Sequence, residues 1–455
     1  MRLRAGVSLL AAAAACLLTS LPAMAAPSPT SLPPQPSVLG PLPVDHAAAT
    51  HIKHVFVIVQ EGHSFDNYFG TYPGASGISR NTPLPANPRS VNGGVVYPHH
   101  ITSVHTVPLD NSAHAATQAL DGGAMDGFVA AQSAAARAGS LALGYYTGSD
   151  LPYYWALARR YVLADDFFSS ALGGSAPNFQ FLVGAQEWNV TSGLGASTSV
   201  PTIFNRLDAA GVSWGYYAAT YKAHELNGQV PTLEPEIPML SLSNITDSRK
   251  DMARIQDLTT LDRELVKGGL PQVTYVVRPG QSEHAPGNIS LGEVSTAGLI
   301  NAIMRSRYWK SSAIFVTWSD WGGWYDSVVP PRVDVEGDGF RVPLLIVSPF
   351  AKRGALLTDQ SDSTSILKFL ESLYGLAPLT TRDQNAALLT DAFDFGTARP
   401  PSPVALGPLP ATALTQGSVS TILLAYGIPL ALVIALFARF AYIRRRRQVG
   451  EVSRQ

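Results

Sequence analysis

Five short runs rich in Val, Ile, Phe and Tyr, at residues 53–60, 212–217, 273–277, 312–318 and 342–347, are set apart by longer stretches of different character. Runs that are apolar on both sides of the chain suit strands buried on both faces. Helical periodicity appears between them, at 151–162 and again at 365–374, where Gly375 is placed to stop the helix. Strands alternating with helices, with no internal repeat, predict an α/β fold: a three-layer αβα sandwich around a mostly parallel central sheet. With 46% hydrophobic and 14% charged residues, the 455-residue chain is apolar enough to fill such a core and excludes the disordered class.

The ends read differently from the middle. Residues 1–26 carry Arg2 and Arg4, an apolar stretch over 7–18 and Ala23-Met24-Ala25 ahead of Ala26, the pattern of a secretory signal peptide. A Pro-rich segment follows over 27–51, then a domain over 52–397 and a Pro/Ala/Thr-rich linker over 398–418. Residues 419–443 are apolar except for Ser420, Thr421 and Arg439, which predicts a transmembrane helix long enough for a bilayer core of ~30 Å. The tail over 444–455 opens on four arginines, Arg444, Arg445, Arg446 and Arg447, and is expected in the cytoplasm with everything before the span outside. Leu409-Pro410-Ala411-Thr412-Ala413 resembles the sorting signal of wall-anchored proteins, with Ala413 where that signal has Gly. A retained membrane anchor is the preferred expectation, and transfer to a cell wall the second.

Between the signal and the span lie 24 basic and 32 acidic residues, a balance that predicts no basic surface for nucleic acid. The single cysteine, Cys16, falls inside the signal, so the exported chain would have no disulfide, zinc-thiolate or cysteine-nucleophile chemistry.

Two words stand at the ends of apolar elements, where open α/β sheets place their sites. They are Gln60-Glu61-Gly62-His63-Ser64-Phe65-Asp66-Asn67-Tyr68-Phe69-Gly70 and Gly173-Gly174-Ser175-Ala176-Pro177-Asn178. Taken alone, Ser175 reads as the N-cap of a helix. It also suits an oxygen nucleophile, exposed by the glycine turn at the start of a helix whose free N–H groups favour phosphate, provided that a base or metal activates it.

From Ile52 to about Leu373 the chain resembles the bacterial phosphoesterase family that includes phospholipases C and a broad-specificity acid phosphatase, a branch of the alkaline-phosphatase-like superfold. The words that carry the resemblance come in the family's order. Besides the two above, they are Met125-Asp126-Gly127-Phe128, Ala164-Asp165-Asp166-Phe167-Phe168, Ser282-Glu283-His284, Gly322-Gly323-Trp324-Tyr325-Asp326, Arg341-Val342-Pro343 and Thr364-Ser365-Ile366-Leu367-Lys368-Phe369. The resemblance implies a phosphate ester or phospholipid headgroup as substrate and Ser175 as nucleophile. It implies His284 on the phosphate, Asn178 and His114 toward substrate, and Glu61 and Asp320 on a divalent metal, for which hard oxygen ligands suit calcium, magnesium or manganese.

The chain departs from the family at five of these positions. Gly62 stands for an amide, Ser319 for a carboxylate, and Asn111, Ser327 and Ser363 for histidines, with His114 a substitute for the first of them. Two functions follow: a membrane-anchored extracytoplasmic phosphoesterase, or a catalytically degenerate relative that binds a ligand or partner at the cell surface. A sulfatase is disfavoured because Phe179 stands where that chemistry requires Arg. Residues 334–338 are expected as a solvated turn rather than a calcium loop, and His99, His100 and His105 as surface histidines. Trp321, Trp324 and Tyr325 suit either core packing or a substrate entrance.

Overall fold

The computed structural model describes residues 39–407, apart from positions 91, 133–137, 191–197, 220, 222–234 and 279–282. Its main sheet has eight strands: β1 (His54–Gln60), β2 (Val162–Ala164), β3 (Trp214–Ala218), β4 (Ile255–Gln256), β5 (Val273–Val277), β6 (Ser312–Trp318), β7 (Leu344–Val347) and β8 (Ala355–Leu357). They lie in the order β8-β2-β7-β6-β1-β5-β3-β4. Every pair is parallel except those of β7, which runs antiparallel to β6 and to β2. The expected α/β architecture with a mostly parallel sheet is therefore present. Strands β5 and β6 are buried throughout and β1 in all but His54, as strands covered on both faces must be.

All five expected strands form. The last begins at Leu344 rather than 342, because the Val342 N–H is taken by Phe167 O (2.9 Å) and Pro343 has none to give. Six helices bear on the site: α1 (Phe65–Phe69), α2 (Ala113–Leu120), α3 (Pro152–Arg160), α4 (Ser175–Gly184), α5 (Ile289–Arg305) and α6 (Ser363–Tyr374). The helix expected over 151–162 stops at Arg160, since Val162 is drawn into the sheet between Ile346 and Ala355. Helix α6 starts on a capping box of Asp362 with Ser365 and ends where Gly375 turns left-handed, φ 64°.

Packing continues beyond the expected domain end at 397. Arg399 donates to Arg160 O (2.9 Å), and Val404 exchanges two hydrogen bonds with Asn301 at 2.8 Å each. The linker's first residues are thus docked on the domain. The expected signal peptide over 1–26, the sorting signal and the span over 419–443 lie outside the described residues. Among the described residues no helix is long and apolar enough to cross a membrane.

One arginine gathers the scattered words. Arg341 is fully buried and reaches Asp326 (2.8 Å), Asp66 (3.2 Å) and Asp165 (3.4 Å), with its guanidinium 4.7 Å above the Phe65 ring. Ser327, a departure from the family, joins the same frame by donating its N–H to Asp66 (2.8 Å). Trp321 and Trp324 are buried in a second apolar cluster with Phe128 and Phe340, so packing, not a substrate entrance, accounts for them. The turn over 334–338 is half as expected: Asp334 accepts from the N–H groups of Glu336 and Gly337, but Asp338 is buried and bonded to Arg382.

Glu371 in α6 is also buried, and burial together with the neighbouring Asp383 carboxyl pushes it up to about 10. The unfolded chain loses this proton near pH 4.5 and the folded chain keeps it, so stability falls as pH rises from about 4.5 to about 10. Glu371→Gln should raise the unfolding temperature at about pH 8 and flatten its decline between about pH 5 and 9. Parallel melting curves for the two proteins across that range would refute the assignment.

Candidate active site

Strands β1 and β6 are parallel neighbours in a register that sets Gln60 beside Trp318, and the Ser319 N–H continues the ladder to Gln60 O (2.8 Å). A carboxylate follows each strand end, Glu61 directly after Gln60 and Asp320 two residues after Trp318. They emerge together at the carboxyl end of the sheet, where such folds collect their chemistry. The turns behind them are tightly packed. Gly62 has φ 70° and Gly322 has φ 64°, and a Cβ at 322 would lie 1.8 Å from Gly62 O, so a side chain there has neither the conformation nor the room.

Ser175 comes from a third element. It is the first residue of α4, yet the N-cap is Gly174 and the helix has no side-chain cap, so the capping role open to Ser175 in the sequence is not the one it has. Its Oγ donates to Asp320 Oδ2 (2.8 Å) and lies 3.3 Å from Glu61 Oε2. A hydroxyl has one proton, so it cannot satisfy both carboxylates at once. Glu61 and Asp320 are buried, whereas Ser175 is partly open to solvent.

Asp320 is closely held. Besides Ser175, its Oδ2 accepts from Ser319 Oγ (2.8 Å); its Oδ1 accepts from Asn111 Nδ2 (2.8 Å) and the Gly322 N–H (2.9 Å). Asn111 and Ser319, two of the positions expected to depart from the family, therefore both touch the same carboxylate. Asn111, not His114, is the residue of that stretch that enters the site. His114 is exposed on α2, next to Ala113, which faces Gly173.

Asn178 is buried, with its amide turned to the backbone: it accepts from the Ala171 N–H (2.9 Å) and donates to Ala171 O (3.2 Å) and Gly174 O (2.9 Å). These bonds fix the turn that presents Ser175 and leave the amide committed to the protein itself. His284 packs its Nδ1 edge on Gly62, where a Cβ would lie 2.4 Å away, and Nδ1 has no protein hydrogen-bond partner. Ser282 of the same word lies outside the described residues. A cavity of about 440 Å³ borders the Ser175 turn, lined by Leu172, Gly173, Gly174 and Pro177, with Glu187 and Glu336 at its acidic side.

Glu61, Ser175 and Asp320 thus converge, with His284 against Gly62 beside them, while His114 and Asn178 do not present free groups to that point. Among the described residues no set of three or more His, Cys, Asp or Glu side chains is arranged to hold a metal ion. The donor set at Ser175 is instead two carboxylates and a hydroxyl. The resemblance put Asn111 at a histidine position, but the sequence did not mark it as a donor to Asp320; an amide two residues ahead of a helix is ordinary until the fold brings a carboxylate to it.

The chain matches the Phosphoesterase family over residues 52–377, and belongs to it. The expectation of a hydrolase acting on ester bonds is borne out at that level. A non-hemolytic phospholipase C of Pseudomonas aeruginosa is 26% identical over 417 residues, covering 77% of this chain and 58% of the relative. The chain thus spans little more than half of that protein. Phospholipase C A of Mycobacterium tuberculosis is 27% identical over 411 residues, covering 76% of this chain and 78% of the relative. Among solved structures, a protein in the alkaline phosphatase superfamily from Vibrio parahaemolyticus aligns with 12% identity and a TM-score of 0.37, over 78% of this chain and 74% of that one. That likeness is too remote to argue from.

Proposed function

We propose that the chain is a phosphoesterase in which Ser175 is the nucleophile, exported by residues 1–26 and anchored by residues 419–443 with its catalytic domain outside the membrane. The observation that carries this reading is the contact of Ser175 Oγ with Asp320 Oδ2 at 2.8 Å, beside Glu61 at 3.3 Å. A nucleophile with a carboxylate at hydrogen-bond distance has a place to send its proton. Ser175 Oγ would attack phosphorus in line, the P–O bond to the alcohol would break, and the serine proton would pass to Asp320. The alcohol would leave carrying a proton from solvent, and water would then hydrolyse the phosphoserine and restore Ser175.

Two buried carboxylates converge on the Ser175 hydroxyl, and their oxygens fit a hard divalent cation such as calcium, magnesium or manganese. Glu61, Asp320 and the Ser175 oxygen would hold it. Bound there, it would lower the pKa of the serine hydroxyl and offset charge on the phosphate. The remaining phosphate oxygens would be met by the free N–H groups at the start of α4 and by His284. Phosphomonoesters and phospholipid headgroups both fit this chemistry, and the names of the relatives favour the lipid.

A second reading is favoured by the four donors already on Asp320, since a carboxylate so fully satisfied needs no cation. The site would then bind a phosphorylated ligand or a partner without turning it over. The full-length protein in detergent, given p-nitrophenyl phosphate or p-nitrophenyl phosphorylcholine with each cation or with a chelator, separates the two. Hydrolysis of one ester that chelation stops and Asp320→Asn abolishes is expected. A folded protein inert toward both esters with every cation would leave the binding reading standing.

A further inference from the structure

The residue before His284 is a buried carboxylate that the reaction above does not use. Glu283 is 1% exposed, and its side chain accepts three hydrogen bonds: Tyr68 Oη (2.7 Å) and Trp318 Nε1 (3.2 Å) on Oε2, and Tyr154 Oη (2.5 Å) on Oε1. Burial pushes the Glu283 carboxyl up to about 7, and the three donors, with no acceptor among them, pull it back toward the ionised form. Room for it is cut into α5, where a Cβ at Gly292 would lie 2.1 Å from Glu283 Cγ. The backbone at Glu283 has φ 75°, a conformation that an L residue with a side chain rarely adopts and that gathers at functional sites. Its carbonyl is within hydrogen-bond distance of His63 Nε2, at 3.2 Å.

The donors come from informative places. Trp318 is the last residue of β6, two before Asp320; Tyr68 lies in α1, which follows Glu61 and Gly62; Tyr154 lies in α3. One carboxylate therefore ties the segment that carries His284 to both strand ends that carry the site. Burying a charge in a core is costly unless it is paired, and a purely structural plug at this point would be served by an apolar side chain.

We propose that Glu283 is a positioning residue: its carboxylate, gripped by Tyr68, Tyr154 and Trp318, sets the His284 imidazole against Gly62 in register with Asp320. The proposal rests on the phosphoesterase reading for the role of His284 in turnover, though not for its role in holding phosphate. The test is a double-mutant cycle in the full-length protein with Glu283→Gln, His284→Asn and the pair. It is read as kcat on the preferred ester and as the affinity for inorganic phosphate by calorimetry. Glu283→Gln should unfold cooperatively, lose about 10–100-fold in kcat and show a KM changed far less. Because it acts through His284, the pair should be no worse than His284→Asn alone; losses that multiply would overturn the proposal.

Full kcat and full phosphate affinity in Glu283→Gln would also overturn it. If that variant does not fold, Tyr154→Phe, which removes one of the three donors, replaces it in the same cycle, and no loss there counts against the proposal. Wild-type protein that binds phosphate without turnover would sink the enzyme reading while the cycle, read on affinity, still decides the role of Glu283. A folded wild type that neither binds phosphate nor turns over an ester would sink both.

Discussion

Ser175→Ala should lower kcat on the preferred ester by at least about 1,000-fold while leaving the fold intact, since removal of an attacking hydroxyl is among the costliest single changes that an enzyme of this kind suffers. Both halves follow from the same geometry. The Oγ is the group that meets Asp320 and Glu61, so alanine leaves no oxygen at that point to attack phosphorus. Helix α4 is capped at Gly174 without help from a side chain, so alanine takes no capping bond away. Melting temperature and kcat measured on one preparation check both. A Ser175→Ala protein with more than about a tenth of wild-type kcat would exclude the serine as nucleophile.

The second large effect is on stability. Arg341→Met should cost about 3–5 kcal/mol in denaturant unfolding, because it strips the partner from carboxylates that are themselves buried. Asp66, Asp165 and Asp326 all lose a guanidinium bond, and Asp66 and Asp326 have no exposure to water. Burial pushes the Asp66 carboxyl up, the neighbouring Asp326 pushes it further, and Arg341 pulls it back, so the variant lets it rise again. A carboxyl whose folded pKa is raised supports stability below its unfolded pKa and withdraws that support as pH climbs through the folded value. The deficit should therefore be smaller at about pH 5 than at about pH 8. A loss under about 1 kcal/mol at pH 8 would show that the three aspartates find other partners.

What the sequence revealed, and what it hid, divides along physical lines. The strands 273–277 and 312–318 are legible to the residue because buried parallel strands need uninterrupted β-branched and aromatic runs. The strands at Val162–Ala164, Ile255–Gln256 and Ala355–Leu357 are not: two or three residues carry no period, and what makes them strands is a neighbour far away in the chain. Ser175, Glu61 and Asp320 were findable because each stands at the boundary of an element beside a glycine turn. The resemblance named the positions of Asn111, Glu283 and Arg341 but not their bonds, which exist only once separate loops meet. The same blindness affected His114, whose imidazole promised more than the amide of Asn111 and which ends on the surface of α2.

The packing of His284 on Gly62 also bears on substitution at either position. The two positions are epistatic: any side chain larger than hydrogen at 62 meets the imidazole within 2.4 Å, on a backbone that already disfavours it. A side chain at 62 could therefore be accommodated only if His284 moved away from its present place. Gly62 thus works as an interlock: the residue at 62 decides whether the imidazole can stand where it does.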